Sequence, residues 1–317
     1  MFHTTLLNNI CCTWISQRTN IKKPVERKNL TSRAAALDIL LSIFWGGHPT
    51  SLKVALPYAP PIRQGWMRFL LSGLIIFLWS RYNNISLRVE KSEIVPLFKL
   101  GILFSVQLLF LNYGISKTTV ASSVILNSTY PIWVIILGPI FIKSDKFTFL
   151  KFTGVVIAYF GIVVTYFDSL DNSSYILGNS FCLISGFLLG VRTIYLAKNS
   201  DSIAPMKLLM AQAVFGTIIF LVLSLLIETD LYKFSMILVW SIIYQGAVVA
   251  GFNFIANIWL LKNYKPSQVT VIHLSQPIFG IIIGWVVLNE SIGWAVIWGS
   301  FLVIWGSFLV RKNPKNI

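Results

Sequence analysis

Apolar residues fill this chain in long blocks, separated by short stretches where lysine, asparagine, serine and proline gather. Ten blocks stand out, at residues 34–56, 62–80, 94–116, 119–142, 150–167, 175–197, 205–227, 236–261, 267–288 and 293–310. Each approaches the roughly 20 mostly apolar residues that a helix needs to cross the hydrocarbon core of a bilayer. The pattern predicts an all-α integral membrane protein of ten transmembrane helices. The boundary between the eighth and ninth blocks, near Lys262–Pro266, is the least sharply drawn.

The blocks also repeat. Displaced by 144 residues, Gly46 falls on Gly190, His48 on Arg192, Pro61 on Pro205 and Arg68 on Gln212. A displacement of 146 carries Pro131 onto Pro277, Gly138 onto Gly284 and Asn127 onto His273. A displacement of 145 carries Gly154 and Gly161 onto Gly299 and Gly306, and Asp145 onto Glu290. One such match carries little, but a common order at a nearly constant offset is the signature of a duplication. Two units are expected, at 34–167 and 175–311, between a basic tail at 1–33 and a short tail at 312–317. Each unit holds five spans, an odd number, so the second enters the membrane inverted with respect to the first. Inverted repeats are the architecture of many secondary transporters, whose substrate sits near the midplane between the halves.

Composition agrees with the solvent that the blocks imply. Hydrophobic residues make up 56% of the chain, charged residues 12%, and the mean hydropathy is +0.73. Soluble domains carry about 25% charged residues. The net charge of +15 raises the question of nucleic acid. Its placement answers it: with both termini cytoplasmic, 20 of the 26 basic residues fall in inside segments, and only Lys53, Arg63, Lys117 and Lys233 fall outside. That bias is what the positive-inside rule describes. The expected partners are the lipid bilayer and a small-molecule substrate, and no nucleic acid. Cys11, Cys12 and Cys182 make no disulfide framework or metal spacing, and no cofactor is implied. The expected location is a bacterial plasma membrane. The Ser/Thr- and base-rich first 33 residues leave an organellar targeting peptide as the alternative.

Three stretches carry a family likeness: LLSIFWGGHPTSLKVAL with PPIRQGWMRF, then ASSVILNSTYPIWVIILGPIF, then VTVIHLSQPIFGIIIGWVVLNESIGWAVIWGSFLVIWG. Over residues 34–311 they resemble the EamA-type permeases of the drug/metabolite transporter superfamily. The resemblance implies ten spans in two five-span copies, and carrier-type transport of small organic metabolites. The chain departs from the family at two points. Only Asp145 stands where members often close the fourth span with an acid, and His48 follows the Trp-Gly pair.

Polar residues at membrane depth are costly and usually face a cavity or a partner. Gly46, Gly47 and Pro49 are expected to break the first span and open it, with Trp45 and His48, onto a central cavity. The alternative is a packing kink, in which the glycines let helices approach closely. Arg68 is a candidate fixed cation for a carboxylate or phosphate, or else a tie for exposed carbonyls. Arg192, nearer a span end, reads as a snorkelling side chain. Pro131 and Pro277 are expected hinges, each preceded by a hydrogen-bonding residue four positions earlier. Asn127 with Tyr130, and His273 with Gln276, share helix faces at i and i+3. Gln107, Asn112, Asn253 and Asn257 extend the polar lining, the alternative for each being an interhelical hydrogen bond. The acids lie at loops or span ends, Asp38 included, so a carboxylate-driven cation antiporter is not expected. The function that follows is a permease for a small organic metabolite, amino-acid-like or anionic, working by alternating access, and not an enzyme. A membrane-embedded sensor or receptor and a lipid-processing enzyme are the alternatives.

Overall fold

The computed structural model describes residues 28–141, 149–167, 173–199, 202–229, 233–264, 269 and 272–311. Residues 1–27 of the expected basic tail 1–33, the short tail 312–317, and the turn holding Lys143, Asp145 and Lys146 lie outside the described residues. Among the described residues ten helical spans run in order. The first repeat holds α1 (Ser32–Ala55), α2 (Pro61–Tyr82), α3 (Lys91–Lys117), α4 (Val120–Asn127, resumed at Tyr130–Phe141) and α5 (Phe149–Phe167). The second holds α6 (Ser173–Asn199), α7 (Pro205–Ile227), α8, α9 and α10 (Trp294–Arg311). Within α8 the pieces Met236–Ile243 and Asn253–Asn263 flank a π-helical stretch, Tyr244–Phe252. Within α9 a 3₁₀ turn, His273–Ser275, leads into Gln276–Leu288. The helices 91–117, 175–196, 205–227 and 236–261 are each long and apolar enough to cross a bilayer on their own.

Local chemistry sets several starts. The Thr31 hydroxyl accepts the Ala34 N–H at 3.3 Å and caps α1. Pro61 and Pro205 open α2 and α7, where a missing N–H costs nothing. Glu90 and Glu93 form a capping box on α3. Glu228 accepts the Ile62 and Arg63 N–H groups at 2.7 Å each, placing a carboxylate at the positive end of α2. Burial nonetheless holds that carboxyl above its ordinary range. The outer surface is apolar: Leu74, Phe77, Leu226, Trp294, Trp298 and Phe301 are all exposed. Lipid is the solvent that such a surface fits.

Glycine contacts give the direction of each helix pair. A Cβ on Gly161 would meet the Gly299 carbonyl at 2.7 Å and the Val303 N–H at 2.8 Å, and Gly306 sits against Gly154 and Ala158. Numbers rise on α5 as they fall on α10, so the two are antiparallel. Across α1 and α9 the contacts are Asp38 with His273, Gly46 with Gln276 and Gly280, and Lys53 with Glu290. There the numbers rise together, so the pair is parallel. Leu126 with Gly186, and Tyr130 and Val134 with Gly190, make α4 and α6 parallel as well. Ten successive crossings have these senses, and equivalent helices of the two repeats run oppositely.

Exchanging the repeats preserves the principal helix pairs. α1 on α9 becomes α6 on α4, α3 on α6 becomes α8 on α1, and α3 on α7 becomes α8 on α2. The atoms follow: Gly46 lies against Gln276, Phe279 and Gly280, while Gly190 lies against Tyr130, Trp133 and Val134, each the repeat-related residue. One expectation is corrected here. Helix α1 runs unbroken through Gly46, Gly47 and Pro49. Gly46 is a backbone contact with α9, and Tyr244 covers Gly47 and donates to the Phe44 carbonyl at 2.8 Å, beside the bond that Pro49 forgoes. The breaks instead fall in the fourth span of each repeat, just before Pro131 and around His273–Ser275 before Pro277.

Gly161→Val, which forces a branched side chain into the α5–α10 backbone contact, is expected to destabilise the protein by about 1–3 kcal/mol. Gly73→Ala is the control, because the nearest atom to its added Cβ is 3.4 Å away. Thermal unfolding of both variants in detergent checks the difference, with the control close to wild type.

Candidate functional site

Two buried polar chains meet at an aromatic pair inside the bundle. In the first, Arg68 on α2 hydrogen-bonds through Nη1 to His48 Nε2 on α1, which requires that nitrogen to be the unprotonated acceptor. Both side chains are buried. In the second, Arg192 on α6 donates to Gln107 Oε1 at 2.8 Å, and Gln107 Nε2 donates to Ser185 Oγ at 2.7 Å. Ser185 Oγ in turn donates to Asn127 Oδ1 at 3.0 Å. Donor follows donor from the guanidinium to the end of the first piece of α4.

Phe69 and Phe104 join the chains, their ring centroids 5.2 Å apart. The Arg68 guanidinium lies 4.6 Å from the Phe69 centroid, and that of Arg192 lies 5.0 Å from the Phe104 centroid. A desolvated cation–π contact contributes about 2 kcal/mol, whereas removing one ion from water costs several kcal/mol. The rings therefore offset only part of the penalty. Carboxylates would offset the rest, yet those described are engaged elsewhere. Asp38 pairs with His273 at 2.8 Å, Glu93 with Lys207 at 2.8 Å, and Glu290 with Lys53 at 2.9 Å. Glu228 caps α2, and Glu90 caps α3. The Nε atoms of both arginines are buried and have no hydrogen-bond partner among the described residues.

The expected lining residues divide between this cluster and other tasks. His48, Arg68, Gln107 and Asn127 are brought together. Arg192, read from sequence as a snorkelling side chain, turns inward and heads the second chain. Asn112 donates to the Pro61 carbonyl at 3.3 Å and ties α3 to the start of α2. Asn253 donates to the Leu41 carbonyl at 2.9 Å, the repeat-related counterpart of Gln107 on Ser185. Asn257 is half-buried on the same helix. Tyr130 and Gln276 stand at the two helix restarts, where their carbonyls lie beside Gly190 and Gly46. Asn127 and His273 do not bond to each other: the first receives Ser185, the second holds Asp38. Trp45 meets His273 edge to face, with centroids 5.2 Å apart.

Sequence reasoning missed three groups. Asp38, placed at a span end, is fully buried. The Gln64–Gln245 pair, joined at 3.0 Å, ties α2 to the π-helical stretch. Ser185 bridges two expected residues, Gln107 and Asn127. No spacing rule reveals these pairs, because their members lie 235, 181 and 78 or 58 positions apart.

Comparison with known proteins gives consistent matches over both halves. The model of the EamA-like transporter family matches residues 33–167 and again 176–312. The uncharacterized transporter YoaV of Bacillus subtilis is 22% identical over 269 residues, which cover 84% of this chain and 92% of YoaV. An uncharacterized transporter of Archaeoglobus fulgidus is 27% identical over 273 residues, covering 82% and 92%. A probable amino-acid metabolite efflux pump of Escherichia coli is 24% identical over 290 residues, covering 86% and 93%. A solved crystal structure superposes with a TM-score of 0.64 at 11% identity, covering 88% of this chain and 98% of that one, a likeness of fold.

The Asp38–His273 pair is expected to behave as a coupled unit. Asp38→Asn or His273→Gln alone leaves a buried partner and destabilises by about 3–5 kcal/mol. The double variant falls short of the sum by more than about 1 kcal/mol, as a double-mutant cycle of unfolding measures.

Proposed function

Because this chain belongs to the EamA-like transporter family of the drug/metabolite transporter superfamily, we propose that it is a secondary transporter for a small organic solute bearing an anionic group. In this reading the solute reaches the Arg68–Arg192 cluster by alternating access between the two repeats, from a bacterial plasma membrane with both termini cytoplasmic. The observation that carries the anionic class is the pair of inward-facing guanidinium groups whose charge no described carboxylate balances. The amino-acid metabolite efflux function named for the Escherichia coli relative supports an amino-acid-like solute as one form of it.

Alternating access requires that one end of a helix contact open while the other stays shut. The α1–α9 pair, drawn from opposite repeats, has the parts for this. Its backbones touch at Gly46 and Gly280. Asp38–His273 closes one end and Lys53–Glu290 the other, with Glu290 also accepting the Val120 N–H at 2.8 Å. Asp38 and Lys53 are 15 residues apart, about 22 Å along a helix. In our reading Gly46 is the pivot and the two side-chain pairs are the inner and outer closures. The helix break before Pro277 lies beside this contact, the break before Pro131 lies beside its α4–α6 counterpart at Gly186 and Gly190, and the two supply the compliance. The lining roles of Trp45, Asn127, Tyr130, Asn253, Asn257 and Gln276 belong to this proposal as well.

Two measurements test it. A charge-assisted hydrogen bond contributes about 1.5–3 kcal/mol, and 1.4 kcal/mol is tenfold in affinity. Arg68→Gln should therefore raise the half-saturating concentration of an anionic solute by about tenfold or more in proteoliposome counterflow. Unchanged affinity at equal protein content overturns the anionic reading, and binding without exchange overturns the carrier. For the closures, the reporter is a cysteine at Thr50, a buried position on α1. Lys53→Met should speed its labelling from outside and His273→Gln should slow it. Shifts of the same sign in both variants overturn the two-ended gate.

A further inference from the structure

Resting on that reading, we propose that the transported solute carries two negative charges, one for each guanidinium, and that Arg192 is the residue that selects for the second. Each arginine spends one N–H on a neutral acceptor, Arg68 on His48 and Arg192 on Gln107, and keeps a buried Nε without a partner among the described residues. Arg68 is 3% exposed. The two guanidinium groups each rest on their own ring of the Phe69–Phe104 pair, whose centroids lie 5.2 Å apart.

Charge balance then separates the ligand classes. A neutral or zwitterionic solute leaves both cations unbalanced, and a monoanion leaves one. Two carboxylates, or one dianionic phosphate, neutralise both. Either is also an acceptor-only ligand that can take the N–H groups now left over. Gln107 can release Arg192 without losing its other bond. Its carbonyl holds Arg192 while its amide holds Ser185, so a ligand that draws the guanidinium away leaves the amide anchored. The polar chain from Ser185 to Asn127 stays intact, and with it the link from α6 to the broken fourth span.

The full-length protein in proteoliposomes, loaded on one side, tests this with four probes: succinate, glycerol 3-phosphate, lactate and alanine. The expected result is exchange of at least one two-charge probe at about tenfold or more the rate of lactate. Succinate alone assigns paired carboxylates, and glycerol 3-phosphate alone assigns a phosphate. Arg192→Gln should bring the ratio to lactate near one, and Arg192→Lys should retain the preference. Equal exchange of one- and two-charge probes by the wild type, or an unchanged ratio in Arg192→Gln, overturns the two-charge assignment and leaves the anionic reading standing. Exchange of alanine alone overturns both. Should Arg192→Gln fail to fold, thermal stabilisation of the wild type decides: greater stabilisation by a two-charge probe than by lactate supports the proposal, and equal or absent stabilisation overturns it.

Discussion

The crossing of α1 over α9, where Gly46 meets Gly280 backbone to backbone, is the contact on which the arrangement turns. Lipid supplies no hydrophobic drive between helices, so close packing and interhelical hydrogen bonds must hold the bundle together. Here that packing is made between the repeats rather than within them. Its symmetric copy, Gly190 against Tyr130 and Val134, does the same for α6 and α4. Each half thus lends its first helix to the other half's fourth, and α5 and α10 close the remaining side antiparallel. The helix positions that present polar groups inward follow from these contacts, because a side chain can be buried only where a neighbouring helix covers it.

Inside that frame, polarity has two uses. Asn112, Asn253 and Gln64 donate to backbone carbonyls and serve as fasteners, and Gln64 also accepts from Gln245. The arginine cluster is different in kind. Its charges are set on aromatic faces and neutral acceptors, which hold a guanidinium in place without cancelling it. A carboxylate at the same spot would fill the site with a permanent counterion. The acids described are instead spent at helix starts and at the ends of helix pairs.

Much of the fold was legible because membrane helices write themselves in long apolar runs, and because the duplication kept its glycines in register. Gly46 with Gly190, and Gly161 with Gly306, were matched by offset alone, and each pair proves to fill repeat-related contacts. The local consequence of Gly46–Pro49 stayed open between a break onto a cavity and a packing face. A glycine pair before a proline reads as a break when the neighbour is unknown, and as a packing face when α9 lies across it. The site was legible in part: Arg68, His48, Gln107 and Asn127 are conspicuous as polar residues in apolar runs. Which of them touch was hidden, since Arg192, Ser185 and Asp38 acquire their roles only from helices distant in the chain. The i, i+3 argument for Asn127 with Tyr130 assumed one continuous helix, and α4 is interrupted between them.

The swapped pairing of first and fourth helices also bears on how the chain is made. Asp38 meets its histidine only 235 residues later in the sequence. During synthesis α1 therefore enters the bilayer with an acid, a backbone-bare glycine face and Ser42 uncovered, and α6 leaves the ribosome after its own partner, α4, is in place. The first repeat has to wait in lipid, incompletely packed, until the ninth span emerges. Truncation anywhere before that point leaves the earliest helix without the partner that covers its glycine face and its acid.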